Sequence, residues 1–271
     1  MNIRKKILTR CGALLTAVLV LAPTALAAEA EIPYIPQTVP AAQLAPADQR
    51  GQEDWQLLLV NPWHTVPEGY EIKLATLSNG LQVDERIYDD LDDMLSDCRE
   101  AGLNPIVCSA YRTEATQTRL YRNKVARVRA SGVPEDRVEA EAARWVAKPG
   151  TSEHQTGLAL DIVAAGYQIL DEEQEDTAEQ KWLMENSWKY GFILRYPSEK
   201  SDITGIGYEP WHYRYVGKAA AAEIYRTGVC LEEYLGRAVL PAAELTPARP
   251  ARAAEAPAVR PLEPVSSAAS V

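Results

Sequence analysis

The sequence predicts an α+β fold, a single domain in which helices flank a small, mostly antiparallel sheet. Three observations carry that expectation. Apolar side chains recur at helical spacing over 84–101, and capping residues open further helices at Thr113 and Thr177. Short apolar or alternating runs at 105–108, 157–163, 192–196 and 211–216 read as strands. The stretch 52–240 that holds them has the length of one domain with one core, and it shows no internal repeat.

The chain begins with a basic segment (Arg4, Lys5, Lys6 and Arg10), an apolar run from Gly12 to Leu21 and the small-residue site Ala25, Leu26, Ala27. That order predicts an export signal over 1–27 and a secreted, cell-envelope protein. The apolar run is short for a membrane span, so attachment to a membrane is expected only if the segment stays uncleaved. Residues 28–51, rich in Ala, Pro and Gln, read as a flexible lead-in, and 241–271, rich in Pro, Ala, Ser and Glu, as a disordered tail.

Within the domain, 55–60 is a short apolar run. The helix over 84–101 gathers Ile87, Leu91, Met94 and Leu95 on one side and stops at Gly102. A strand at 105–108 follows. Thr113 then caps a helix reaching Ala130, with Glu114 favourable in its first turn. Pro134, Glu135 and Asp136 open another that runs through Trp145, and Pro149-Gly150 breaks it. Over 157–163, Leu158, Leu160 and Ile162 share one strand face, and Ala159, Asp161 and Val163 the other. The acidic stretch 171–176 reads as a solvated loop. Thr177 with Gln180 forms a capping-box pattern for a helix ending near Gly191.

Charge and cysteines narrow the function classes. The formal charge is −10, and loss of 1–27 removes four basic and no acidic residues, moving it to −14. Such a chain lacks the cationic footprint of a nucleic-acid binder. Export would leave Cys98, Cys108 and Cys230, enough for one intramolecular bridge at most. Cys98 with Cys108, across a helix-to-strand turn, is the expected pair, and three small buried thiols are the alternative.

Three polar motifs carry chemistry: Ser109-Ala-Tyr-Arg-Thr113, Ser152-Glu-His-Gln-Thr-Gly-Leu-Ala-Leu-Asp161 and Glu209-Pro-Trp-His212. The chain has three histidines, and two fall in these motifs. Zinc hydrolases take three protein ligands and leave one position open, which His154, Asp161 and His212 can supply. Asp161, set between Leu160 and Ile162, needs compensation: a cation, an arginine or an exposed edge would each serve. Pro210 biases Glu209 to extended backbone, and a kink there can bring Glu209 and His212 to one site. An ordinary edge strand is the plain alternative. Arg112 suits an oxyanion or, equally, a surface acid. Gln117 lies one helical turn further along. His64 has no partner at ligand spacing and reads as structural or as a residue of the cleft rim.

Together the three motifs resemble the VanY-type D-alanyl-D-alanine carboxypeptidases, zinc peptidases that share a fold with the hedgehog signalling domain. The resemblance covers most of 55–236. It implies Zn2+ held by His154, Asp161 and His212, Glu209 as the base and Arg112 on the oxyanion. Gln117 and Ser152, with Ser109, Tyr111 and Trp211, would line the substrate site. The implied partner is a peptidoglycan stem peptide that loses its terminal D-alanine, and a monomer is expected. An L,D-carboxypeptidase, a cross-link endopeptidase or a non-catalytic wall-binding module are the alternatives. The dipeptidase branch tends to carry a bulky residue where this chain has Pro210.

Overall fold

The computed structural model describes residues 55–236. The expected export signal, the whole of the lead-in and the expected tail lie outside the described residues. No helix among the described residues is long and apolar enough to cross a membrane.

The helical patterns fold close to where they were expected. A hairpin of β1 (Leu74–Thr76) and β2 (Gln82–Asp84) comes first. Asp84 caps a 3₁₀ turn at Glu85–Ile87, which runs into α1 (Tyr88–Glu100). β3 (Pro105–Ser109) follows. The Thr113 hydroxyl accepts from the Thr116 amide at 3.2 Å and starts α2 (Glu114–Ala130). Pro134 stands just outside α3 (Glu135–Ala143). A 3₁₀ turn at Glu153–Thr156 leads into β4 (Ala159–Ala164).

Thr177 caps α4 (Ala178–Asn186), and a separate 3₁₀ turn, Ser187–Tyr190, completes the stretch to Gly191. Then come β5 (Phe192–Leu194), the short α5 (Ser201–Thr204) and β6 (His212–Tyr215). Outside the expected elements lie β1, β2, α5, α6 (Lys218–Thr227) and α7 (Leu231–Tyr234).

The main sheet has the order β3-β4-β6-β5, with every neighbour antiparallel. Helices cover both of its faces. Leu91, Met94 and Leu95 of α1 and Leu183 of α4 share a core with Val107, Leu160, Ile162, Phe192 and Tyr213. Ile193 belongs to a second core, with Ala221 and Ile224 of α6 and Leu231 and Tyr234 of α7. Adjacent residues of β5 point to opposite faces, so Phe192 and Ile193 feed different cores.

Two expectations are corrected. The acidic stretch keeps Glu172, Glu173, Glu175 and Asp176 exposed, but Glu172–Asp176 is a 3₁₀ turn rather than an irregular loop, built around a buried Gln174 whose amide donates to the carbonyls of Tyr167 (2.6 Å) and Ile169 (2.8 Å). A loop of charged residues gains order here because one uncharged amide can satisfy main-chain groups from inside. Cys98 and Cys108 are not bridged. Cys98 is buried on α1, whereas Cys108 is exposed. Val107 takes the core-facing position of β3, so its neighbour Cys108 must face away. Cys230 is buried and also free.

Candidate active site

Three of the predicted residues converge through sheet register and one tight turn. Asp161 of β4 and His212 of β6 are direct cross-strand partners. His154 stands on the 3₁₀ turn before β4, and Gly157 converts that turn into the strand. Gly157 has φ +70°, and a Cβ there would lie 2.9 Å from the Asp84 amide nitrogen and run into the end of the Ile72 side chain. Only glycine combines that conformation with so close an approach of the β2 backbone. The strand alternation read from the sequence holds: Leu160 and Ile162 enter the core while Asp161 enters the cleft.

The donor atoms are well placed for a cation. One nitrogen of each histidine and one oxygen of Asp161 lie within 4.8 Å of one another, and all three residues are buried. His154 Nε2 is 3.4 Å and His212 Nδ1 3.1 Å from Asp161 Oδ1. The His154 Nδ1–H donates to the Ala110 carbonyl at 2.8 Å, which leaves the Nε2 lone pair toward the site. This set of two imidazoles and a carboxylate fits zinc.

Glu209 joins the site without belonging to that triangle. Its Oε2 is 3.6 Å from His212 Nδ1. The His212 amide donates to the Glu209 carbonyl at 3.0 Å, so Pro210 and Trp211 form the kink that brings the two side chains together. Arg112 does not stand free in the cleft. Its Nη2 donates to Asp161 Oδ2 at 2.6 Å and its Nε to the Ser109 hydroxyl at 2.9 Å. The guanidinium therefore braces a ligand carboxylate and still lines the cleft.

The cleft encloses about 270 Å³. Gln117, Ser152 and Trp211 line it. Gln117 Nε2 donates to the Ala147 carbonyl at 2.7 Å, and its Oε1 is buried without a partner. Ser109 and Tyr111 are not among the residues that line this cleft; the Ser109 hydroxyl supports Arg112, and the Tyr111 main-chain amide pairs with the Gln82 carbonyl. His64 stays structural, its Nδ1 against Asn61 Oδ1 at 2.9 Å. The wall also holds residues that no motif announced: Lys124, Trp145, Leu170 and Tyr196. The Tyr196 ring lies 4.7 Å from that of His212. Trp145 closes over Gly207, where a Cβ would sit 2.9 Å from its ring.

Electrostatics separate these groups. Burial lowers His154 to about 4, helped by Arg112 and opposed by Asp161. Burial also works against a charged His212, yet the carboxylates of Asp161 and Glu153 beside it outweigh that and raise the ring to about 9. Burial pushes Glu209 up to about 8, against the pull of His212. Asp161 is held well below the usual carboxylate range, because His154 and Arg112 outweigh its burial.

A linkage prediction follows for zinc uptake by the metal-free protein. At pH 7, below about 9, His212 is protonated and must lose that proton to ligate. A dication beside Glu209 favours its ionised form and releases a second proton. Calorimetry in buffers of different ionisation enthalpy should give about one to two protons released per zinc at pH 7. Affinity should weaken by about tenfold per pH unit, for each proton displaced, as pH falls. Zinc binding with no proton release would contradict this protonation pattern.

A family model described as VanY, D-alanyl-D-alanine carboxypeptidase, matches residues 80–218. A D-alanyl-D-alanine carboxypeptidase of Enterococcus faecalis is 48% identical over 193 residues, covering 71% of this chain and 70% of that protein. Among solved structures, a variant of the vancomycin resistance D,D-pentapeptidase VanY, from a VanB-type cassette and in complex with Zn(II), superposes with a TM-score of 0.62 at 48% identity, covering 67% of this chain and 99% of the other. VanYB in complex with D-alanine-D-alanine gives 0.63 at 48% identity, over 68% and 98%. The LD-carboxypeptidase LdcB gives 0.55 at 36% identity, over 66% and 85%.

Proposed function

The chain belongs to the VanY family of D-alanyl-D-alanine carboxypeptidases, and on that premise we propose that it removes the terminal D-alanine from peptidoglycan stem pentapeptides. The observation that carries the reading is the buried His154, Asp161, His212 triangle with Glu209 at its edge, inside a cleft of this family's fold. Identity favours D,D- over L,D-cleavage, at 48% to the D,D-enzymes against 36% to the LD-carboxypeptidase.

His154 Nε2, an Asp161 oxygen and His212 Nδ1 would hold zinc. When bound, zinc supplies a Lewis acid and brings a water toward its neutral-pH ionisation. The Glu209 carboxylate takes the proton of the attacking water and passes it to the amine of the departing D-alanine. Arg112 keeps Asp161 in place with Nη2, and its remaining N–H groups stabilise the negative charge that grows on the carbonyl oxygen. Gln117 and Ser152 offer hydrogen bonds to the substrate's polar end, and Tyr196 and Trp211 wall the cleft against water.

The direct test is incubation with stem penta- and tetrapeptides, with and without a chelator. Release of D-alanine from the pentapeptide, abolished by the chelator and restored by zinc, is the expected result. Preferential cleavage of the tetrapeptide would move the assignment to the L,D-branch. Metal-independent release would remove the zinc mechanism.

Such a substrate lies outside the cytoplasmic membrane, which matches cell-envelope action. Residues 1–27 are proposed as the export signal that takes the protein there. N-terminal sequencing of the exported protein should begin near residue 28, and an intact Met1 in that material would argue for an anchor instead.

A further inference from the structure

The metal triangle does not account for Glu153. It sits beside His154 in the 3₁₀ turn, its side chain is fully buried, and its Oε1 accepts from Arg195 Nε and Arg214 Nη1, both at 2.8 Å. The other carboxylate oxygen, Oε2, has no hydrogen-bond partner. It faces His212 Nε2 at 3.6 Å, and that nitrogen is also buried without a partner. Two complementary orphan atoms facing one another in a closed interior are costly apart and favourable together. An approach of about half an ångström brings them into hydrogen-bond range.

We infer that Glu153 is a positioning residue for His212, accepting a hydrogen bond from Nε2–H so that Nδ1 presents its lone pair to the metal. The inference rests on His212 being a metal ligand. His212 Nδ1 is the nitrogen that meets Asp161 Oδ1 and Glu209 Oε2, so a ligating His212 must carry its proton on Nε2. Glu153 Oε2 is the acceptor that faces it. His154 is oriented in the opposite sense, with Nδ1–H on the Ala110 carbonyl. One imidazole is thus fixed by the main chain and the other by an ionised carboxylate. The second device makes the ring a stronger donor to a cation.

The surroundings suit that role. Arg195 and Arg214 grip Oε1, and Glu232 grips Arg195 through both Nη atoms at 2.9 and 2.6 Å. Oε1 is occupied by two guanidinium donors, which leaves Oε2 for the imidazole.

Long-range ¹H–¹⁵N NMR of the zinc-loaded wild-type protein tests this without any substitution. A protonated Nε2 and a metal-bound Nδ1 on His212 are expected. Metal on Nε2, or an unprotonated Nε2, would overturn the inference. A second arm compares Glu153→Gln with Glu232→Gln by chelator competition. In Glu153→Gln the amide oxygen stays with the two arginines, leaving its NH2 against Nε2–H, donor against donor. Zinc should bind about 10–100-fold more weakly to Glu153→Gln and close to wild type in Glu232→Gln, which disturbs the same arginine without facing His212. Equal losses in both would reduce Glu153 to a structural member of the cluster and sink the proposal. Should Glu153→Gln fail to fold, the wild-type spectrum decides. Wild-type protein that binds no zinc would defeat the metal reading itself, whereas zinc on the wrong nitrogen defeats only this inference.

Discussion

Glu209→Gln is expected to lower turnover of a stem pentapeptide by about 10²–10⁴-fold, the contribution of a positioned general base. Zinc should stay bound at wild-type stoichiometry. The substitution keeps the shape and the buried position of the side chain while removing its capacity to accept a proton. It leaves His154, Asp161 and His212 intact, and the three donors that define the metal triangle do not include Glu209. The pH profile supplies the discriminating readout. Burial raises Glu209 to about 8 when no cation is present, and a dication beside it lowers that value. The base acts only when ionised, so wild-type activity should rise with pH through a group titrating below about 8, and this acidic limb should vanish in Glu209→Gln. Elemental analysis beside kcat and KM checks both halves. A variant that loses zinc together with activity would show that Glu209 holds the metal.

Arg195→Met is expected to destabilise the fold by about 3–5 kcal/mol, the cost of breaking a buried ion pair by removing one partner. For a domain of this size that is a loss of about 6–20 °C in Tm. Arg195 is fully buried and bridges Glu153 to Glu232, while Arg214 ties Glu153 to the carbonyls of Gln56 (3.0 Å) and Leu58 (2.7 Å). Asn61 Nδ2 completes the cluster on Glu232 at 3.0 Å. Methionine fills the volume but leaves Glu232 a buried anion with Asn61 as its remaining partner in the cluster. Burial raises both carboxylates, and Arg195, together with Arg214 beside Glu153 and Asn61 beside Glu232, outweighs it and holds both below the ordinary range. Their contribution is therefore complete above the unfolded carboxylate range, about pH 4–5, and is lost as pH falls through the lower folded values. Wild-type stability should decline in acid, and Arg195→Met should decline less steeply from its lower starting point. Thermal melts from pH 3 to 8 measure both effects. An unchanged Tm at pH 7 would remove this cluster from any account of stability.

The site was more legible in the sequence than the frame that holds it. Asp161 announced itself because a carboxylate between Leu160 and Ile162 breaks an otherwise apolar alternation. His154, Glu209 and His212 were readable for their rarity and their motif spacing. Arg112 was placed near the chemistry, but its bond to Asp161 spans 49 residues, and no local pattern carries such a pairing. The same holds for Arg195, Arg214, Glu153 and Glu232, four charged residues far apart in sequence that the fold buries together. The β1–β2 hairpin escaped for another reason: strands of three residues are too short to show a period of two. α6 carries a readable pattern, Ala220, Ala221, Ile224 and Thr227 buried between Gly217 and Gly228.

Asp161 and His212 face each other across β4 and β6, and this pairing decides which parts of the chain are free to drift over generations. A one-residue deletion or insertion inside either strand would turn the carboxylate into the core and an aliphatic side chain into the cleft. Length changes are therefore barred from the strands and admitted in the connections between them, including the one that carries Leu170 to the cleft wall. Lineages descended from this scaffold can remodel the entrance that meets the peptide while the ladder carries the reaction forward unaltered. Preference for one stem over another and the capacity to hydrolyse it can thus be inherited on separate schedules.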